Sequence, residues 1–184
     1  MAKLIDALGA ADFSCGWDYN GPAKDGYKGG PADRLIWALG ACRGDCAVTA
    51  LAAAAEKVIA HPFYSHFRAY AMAAEAMGDK RLLAPLASLL AAPGVRGHAS
   101  RELAPLPYER KCARLANRIV CGAKLADRIV SEVLRELALA RAIWLIAGGD
   151  ATAMGAAEAK RTLEEYAADA RGVFAAYARQ TLRL

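Results

Sequence analysis

At 184 residues and a net charge of +5, the chain has room for one domain with a sizeable core and is too short for most two-domain enzymes. Its hydrophobic fraction of 56% is inflated by alanine and aromatics are only 8%, which favours closely packed helices over strands. The 24 Lys and Arg are scattered among 19 Asp and Glu, so charge alone does not mark a nucleic-acid partner, and no run approaches the ~18 apolar residues of a membrane span.

The start, MAKLIDALGAADF, lacks a long apolar segment ending in a cleavage site, so a soluble, cytoplasmic protein is expected. Leu4, Ile5 and Leu8 predict a short helix ending near Gly9. Residues 13–31 are different in kind: glycines and prolines mixed with Trp17, Tyr19 and Tyr27 predict an irregular arm, laid over the first hairpin or used as a contact loop.

Pro31 opens a helix with Leu35, Ile36, Leu39 and Cys42 as its inward set. After Gly44-Asp45 a second helix carries Val48, Leu51, Ala55, Val58 and Ile59 on one side, and His61-Pro62 closes it, because the residue before a proline avoids helical geometry. The next hairpin is the clearest. Phe63, Phe67, Tyr70, Ala71, Ala74 and Met77 share a face, Gly78 suits a left-handed helix end, Asp79 suits a cap, and Leu82, Leu83, Leu86, Leu89 and Leu90 form the returning stripe. Pro85 is tolerable in the first turn, and Pro93-Gly94 stops the helix.

Asp45 and Asp79 are 34 residues apart, and the same helix ending recurs at Asp150 after 71 more, so the chain reads as helical hairpins repeating every 34 to 36 residues. The array is interrupted by a Pro/Gly-rich loop over 92–107. Helical pattern resumes at Tyr108 and is strongest over 131–147, where Val133, Leu134, Leu137, Ala140, Ile143 and Trp144 form the stripe and Glu132, Arg135 and Glu136 lie outside it. Two closing helices follow, one with Leu163, Tyr166, Ala167 and Ala170, the other with Phe174, Tyr177 and Leu182.

Chemistry is weakly marked. There is no GxGxxG after a strand, no GxxxxGK[ST] and no GxSxG. The five cysteines, Cys15, Cys42, Cys46, Cys112 and Cys121, are odd in number and read as reduced small hydrophobes. Cys42 and Cys46 form a CxxxC that, with His61, His66 or His98, is the material for a metal-binding or enzymatic reading, although a closed zinc site needs four ligands and no characteristic spacing supplies them. A nucleic-acid surface would draw on Arg110, Lys111, Arg114, Arg118, Lys124 and Arg128. No residue is assigned to catalysis, to a cofactor or to a metal. Polar side chains crowd one place, the helix start at HPFYSHFR, and the candidate interaction surface is Trp17, Tyr19, Tyr27, Tyr64, His66, Arg68, Arg96 and His98.

LIWALGACRGD, AMAAEAMGDKRLLAPLASLL and IWLIAGGD resemble HEAT-type α-helical repeats. GWDYNG, YSHFRAYAMAAEAMGD, PLASLLAAPGVRGHA and YAADARGVFAAYAR further resemble the helical C-terminal region of bacterial FAD-dependent oxidoreductases, across residues 16 to about 180. The stretch from Cys112 to Val130 departs from that pattern. The resemblance implies a flavin enzyme joined or docked to this chain; the glycine-rich βαβ turn of the flavin-binding half has no counterpart here, so no catalytic residue carries over.

The expectation is one all-α domain over 1–184, an α-α superhelix (HEAT-like solenoid) of three to four hairpins. Its parts are an irregular arm at 1–30, hairpins at 31–61 and 62–91, the loop at 92–107, and a modified repeat with a C-terminal cap at 108–184. The expected function is a non-catalytic interaction or accessory module for a protein partner or linked domain.

Overall fold

The computed structural model describes residues 1–17, 30–100 and 124–184, with the backbone alone over 124–130. Its helices are α1 (Ala2–Ala10), α2 (Pro31–Cys42), α3 (Asp45–Ala60), α4 (Tyr64–Met77), α5 (Leu83–Ala91), α6 (Lys124–Ala147), α7 (Ala156–Ala167) and α8 (Gly172–Leu182), with a single 3-10 turn at Lys80–Leu82 before α5. The described residues are all-α and contain no strand. None of these helices is long and apolar enough to cross a membrane.

Helix ends follow the local chemistry. Pro31 begins α2, and Asp33 at the third helical position reaches back to accept the Gly30 amide at 2.7 Å. Gly78 ends α4 at φ 65°, the left-handed conformation glycine adopts without a Cβ penalty. Asp79 then accepts the Arg81 amide at 2.9 Å. Pro85 falls in the first turn of α5, where its missing N–H leaves no broken helical bond.

α4 is the central element. It packs against α2 on one side and α6 on the other, and it also meets α3. On the second side of the stack α3 lies between α1 and α5, while α6 goes on to contact α5, α7 and α8. Phe67 and Tyr70 of α4 are fully buried together with Ile36, Leu39, Leu51, Leu86, Leu89, Leu137 and Leu163. Each such side chain contributes roughly 1.5–3 kcal/mol by leaving water.

The Gly-Asp turns lie along one edge. Arg81 donates to Asp79 at 2.6 Å and to Asp45 at 2.7 Å, which joins the turns of the first two hairpins, and neighbouring Lys80 acts electrostatically on Asp150. Hydrogen bonds from the Arg81 side chain and amide hold the Asp79 carboxyl down at about 2. With Asp45 87% and Arg81 54% exposed at their side chains, the pair between them is screened by solvent and serves more as a marker of register than as a source of stability.

Gly40 sets how closely α2 approaches α4, since a Cβ there would lie 2.7 Å from the Cα of Ala73. Gly40→Ala is therefore expected to lower stability by about 1 kcal/mol, as overpacking outweighs the propensity gain of alanine. Gly9→Ala in α1, where nothing lies within 4 Å, is expected to be neutral or stabilising. Urea midpoints of the two variants compare them directly; equal shifts would show that the α2–α4 contact is not set by Gly40.

Several inward and outward assignments are corrected. Cys42 is exposed: α2 ends at the left-handed Arg43, so its last residue passes the edge of the core, and its thiol lies against the Ala38 carbonyl at 3.2 Å. Ile59 is 36% exposed because adjacent helical residues point about 100° apart and Val58 takes the buried place. Tyr177 is also 36% exposed. Glu136 is not outside the stripe. α6 is packed by α4, α5, α7 and α8, which leaves no solvent at that position, and Glu136 is buried.

Candidate functional site

The start of α4 is where the arm, the 92–100 loop and α6 converge. His66, two residues into the helix, is fully buried. Its Nδ1 lies 2.6 Å from Asp33 Oδ1 on α2 and its Nε2 donates to the Phe13 carbonyl of the arm at 2.9 Å. The rings of Phe13 and Phe63 meet the imidazole edge-on at 5.3 and 5.5 Å. The adjacent Ser65 exchanges two bonds with Trp17: its hydroxyl accepts the Trp17 amide at 2.9 Å, and its own amide donates to the Trp17 carbonyl at 3.0 Å. Trp17 packs against Tyr64 with the rings tilted by 53° and their centroids 5.9 Å apart. Residues 13–17 are thus fixed on α4.

The loop beyond α5 is fixed just as fully, from the other side. Arg135 of α6 donates to the Pro62 carbonyl at 3.0 Å and to the Gly94 carbonyl at 2.9 Å, tying the α4 start to the loop. Glu136 accepts the amides of Gly97 and His98 at 3.0 and 3.1 Å and the Tyr166 hydroxyl at 2.7 Å. Asp169 accepts the Ser100 amide at 2.8 Å, Arg171 donates to the His98 carbonyl at 2.6 Å, and the Ala170 amide donates to the Ser100 carbonyl at 2.7 Å. Side and main chains from α6 and the α7–α8 turn therefore hold six backbone groups of residues 94–100.

The electrostatics fit that role. Burial pushes the Tyr166 phenol well up, and the Glu136 charge and hydrogen bond push it further, so it stays a donor. Burial raises the Asp169 carboxyl, yet the Arg171 side chain and the Ser100 and Arg171 amides outweigh it and leave it below its ordinary value. His98 donates from Nε2 to the Gly94 carbonyl at 3.1 Å and places Nδ1 3.6 Å from Glu132, and Arg96 pairs with Glu158.

Of the residues expected at the interaction surface, Trp17, Arg68, Arg96 and His98 are half-buried, with Arg68 acting electrostatically on Tyr177 of α8, whereas Tyr64 and His66 are buried and act as internal supports. Tyr19 and Tyr27 lie outside the described residues, as do Cys112, Cys121, Arg110, Lys111, Arg114 and Arg118, and the side chains of Lys124 and Arg128 are likewise not described. Cys15, Cys42 and Cys46 are exposed free thiols, and His66 has both ring nitrogens engaged. Among the described residues no group of three or more His, Cys, Asp or Glu is arranged to hold a metal ion. A shallow cavity of about 380 Å³ opens beside Asp12, Phe13, Glu56 and His61, where Lys57 sits 5.5 Å over the Phe13 ring.

Sequence reasoning did not find Asp33, Ser65, Arg135, Glu136 or Asp169. Asp33 carried a partial signal, being the acid three residues after the helix-capping Gly30; its bond to His66, 33 residues away, carried none. Comparison with family models, with curated proteins and with solved structures gave no match.

Proposed function

We propose that the chain is a non-catalytic α-helical repeat module, an α-α superhelix of HEAT-like hairpins, that docks on a protein partner through the edge formed by Trp17, Arg68, Arg96 and His98. The superhelix reading is supported by the packing order, in which α2, α4 and α6 follow one another on one side, α1, α3 and α5 on the other, and the Gly-Asp turns share an edge. The observation that carries the interaction reading is that the buried polar side chains here, Asp33, His66, Glu136 and Asp169, all close on backbone groups of the arm, the loop or the helix start. Such bonding holds contact segments in one conformation before a partner arrives, which reduces the ordering cost of binding. The resemblance of SHFRAYAMAAEAMGD and GVRGHA to the helical region of FAD-dependent oxidoreductases supplies the partner class, a flavoprotein domain docked on or joined to this chain.

The test is affinity isolation of the tagged chain from its native cells, scored by the fluorescence of flavin released on denaturation. A co-purifying flavoprotein is expected with the native chain and is expected to be lost with Arg96→Glu/His98→Glu, whose fold is checked by circular dichroism. Isolation with no flavoprotein removes the flavin assignment; retention by the folded double variant removes the edge.

A further inference from the structure

We propose that residues 13–17 are latched to α4 by a proton on His66 and are loosened in alkaline solution, a control of the Trp17 position that requires no partner. The Phe13 carbonyl can only accept a hydrogen bond, so the 2.9 Å contact places a hydrogen on Nε2. Across the ring, Nδ1 is 2.6 Å from an oxygen of Asp33, whose other oxygen already accepts the Gly30 amide at 2.7 Å. A second proton must lie between Nδ1 and Asp33, because two bare lone pairs at that distance in a buried site repel. His66 and Asp33 together therefore hold one proton more than a neutral imidazole beside a carboxylate.

Loss of that proton leaves the ring one hydrogen for two acceptors. The carboxylate is the stronger acceptor and keeps it, as a charge-assisted bond. Nε2 then turns a lone pair toward the Phe13 carbonyl, so the arm contact is the one that fails, while α2 and α4 stay joined. The reciprocal Ser65–Trp17 bonds and the buried Phe13 ring still hold residues 13–17, more loosely than before.

Charged and titratable groups stand at this ring and around the Phe13 that it holds, where Glu56 and His61 line the same cavity as Lys57 and Asp12. α2 supplies Asp33, α3 supplies Lys57, whose ammonium lies over the Phe13 ring, and the arm supplies Asp12, whose carboxylate is turned to the Ser14 amide. α4 itself carries Tyr64 and Arg68 on either side of His66 in sequence. Asp33 is the charged group in direct contact with the ring, at 2.6 Å.

The measurement is nuclear magnetic resonance of the whole chain as a function of pH. It follows the protonation of the His66 ring and, corrected for intrinsic exchange, the hydrogen-exchange protection of the Trp17 amide. The native chain is expected to show two ring protons at neutral pH and to lose protection at Trp17 on the order of ten- to a hundredfold as the ring loses one. In Asp33→Asn the amide can donate to Nδ1 of a neutral ring and leave Nε2–H on Phe13, so protection is expected to stay constant over the same range. A single ring proton at neutral pH, protection that does not change as the ring titrates, or a folded Asp33→Asn that loses protection in parallel with the native chain overturns the proposal. If Asp33→Asn does not fold, the native titration alone decides. A ring that keeps both protons until the whole protein unfolds also overturns it. None of these outcomes bears on whether a flavoprotein binds.

Discussion

Replacing His66 with alanine is expected to lower the folding free energy by about 3–5 kcal/mol, the usual consequence of leaving one member of a buried pair without its partner. Two groups are stranded: Asp33, fully buried on α2, and the Phe13 carbonyl of the arm. Asp33→Ala is expected to be similarly damaging, since it removes the partner of Nδ1 and the acceptor for the Gly30 amide that starts α2. For a domain whose total stability is typically 5–15 kcal/mol, either change takes a large fraction of it. The double variant should lose much less than the sum, because the second substitution removes a charge the first had stranded. Guanidinium melts of the four proteins measure this. A His66→Ala loss below about 1 kcal/mol would mean that water reaches Asp33, and would remove the structural basis of the arm's attachment.

What could be read in the sequence was what a helix encodes over one or two turns. The stripe from Phe67 to Ala74, the left-handed Gly78, the Asp79 bond to the Arg81 amide and the Leu82 to Leu90 return all depend on neighbours within a few residues, and each is found in the structure. What could not be read was which polar group in one helix meets which backbone group in another. Glu136 looked like a surface acid because it sits among charges, at four residues from Glu132; it is buried because α6 has neighbours on several sides, a property of the packing and not of α6. His66 looked like part of an accessible polar crowd because Tyr64 and Arg68 flank it. Its burial follows from the arm, whose Phe13 lies 53 residues earlier. The loop was recognisable from its prolines and glycines, but nothing in GVRGHAS announces that six of its backbone groups are held by residues more than thirty positions later.

Glu136 is where that hidden arrangement can be tested most sharply. Glu136→Ala leaves the amides of Gly97 and His98 and the hydroxyl of Tyr166 without their acceptor. A buried donor left unsatisfied costs about 1–3 kcal/mol, and water can reach the Gly97 side, so a total loss of about 3 kcal/mol is expected. Glu136→Gln keeps one oxygen but turns an NH₂ toward a donor, and should fall between alanine and the native chain. Tyr166→Phe removes one of the three donors, so adding it to Glu136→Ala should recover part of the loss. Acid reaches the same loop from Asp169. Its carboxyl is held below its ordinary value when folded, so its contribution is present above the unfolded carboxylate pKa of roughly 3.9 and is lost as the pH falls below it. The exchange protection of the Ser100 amide should therefore fall with acid, while Gly97 and His98 lose theirs in Glu136→Ala at neutral pH. Unchanged protection at all three amides under both treatments would show that the loop is held by something other than these carboxylates, and the preorganised edge would lose its cause.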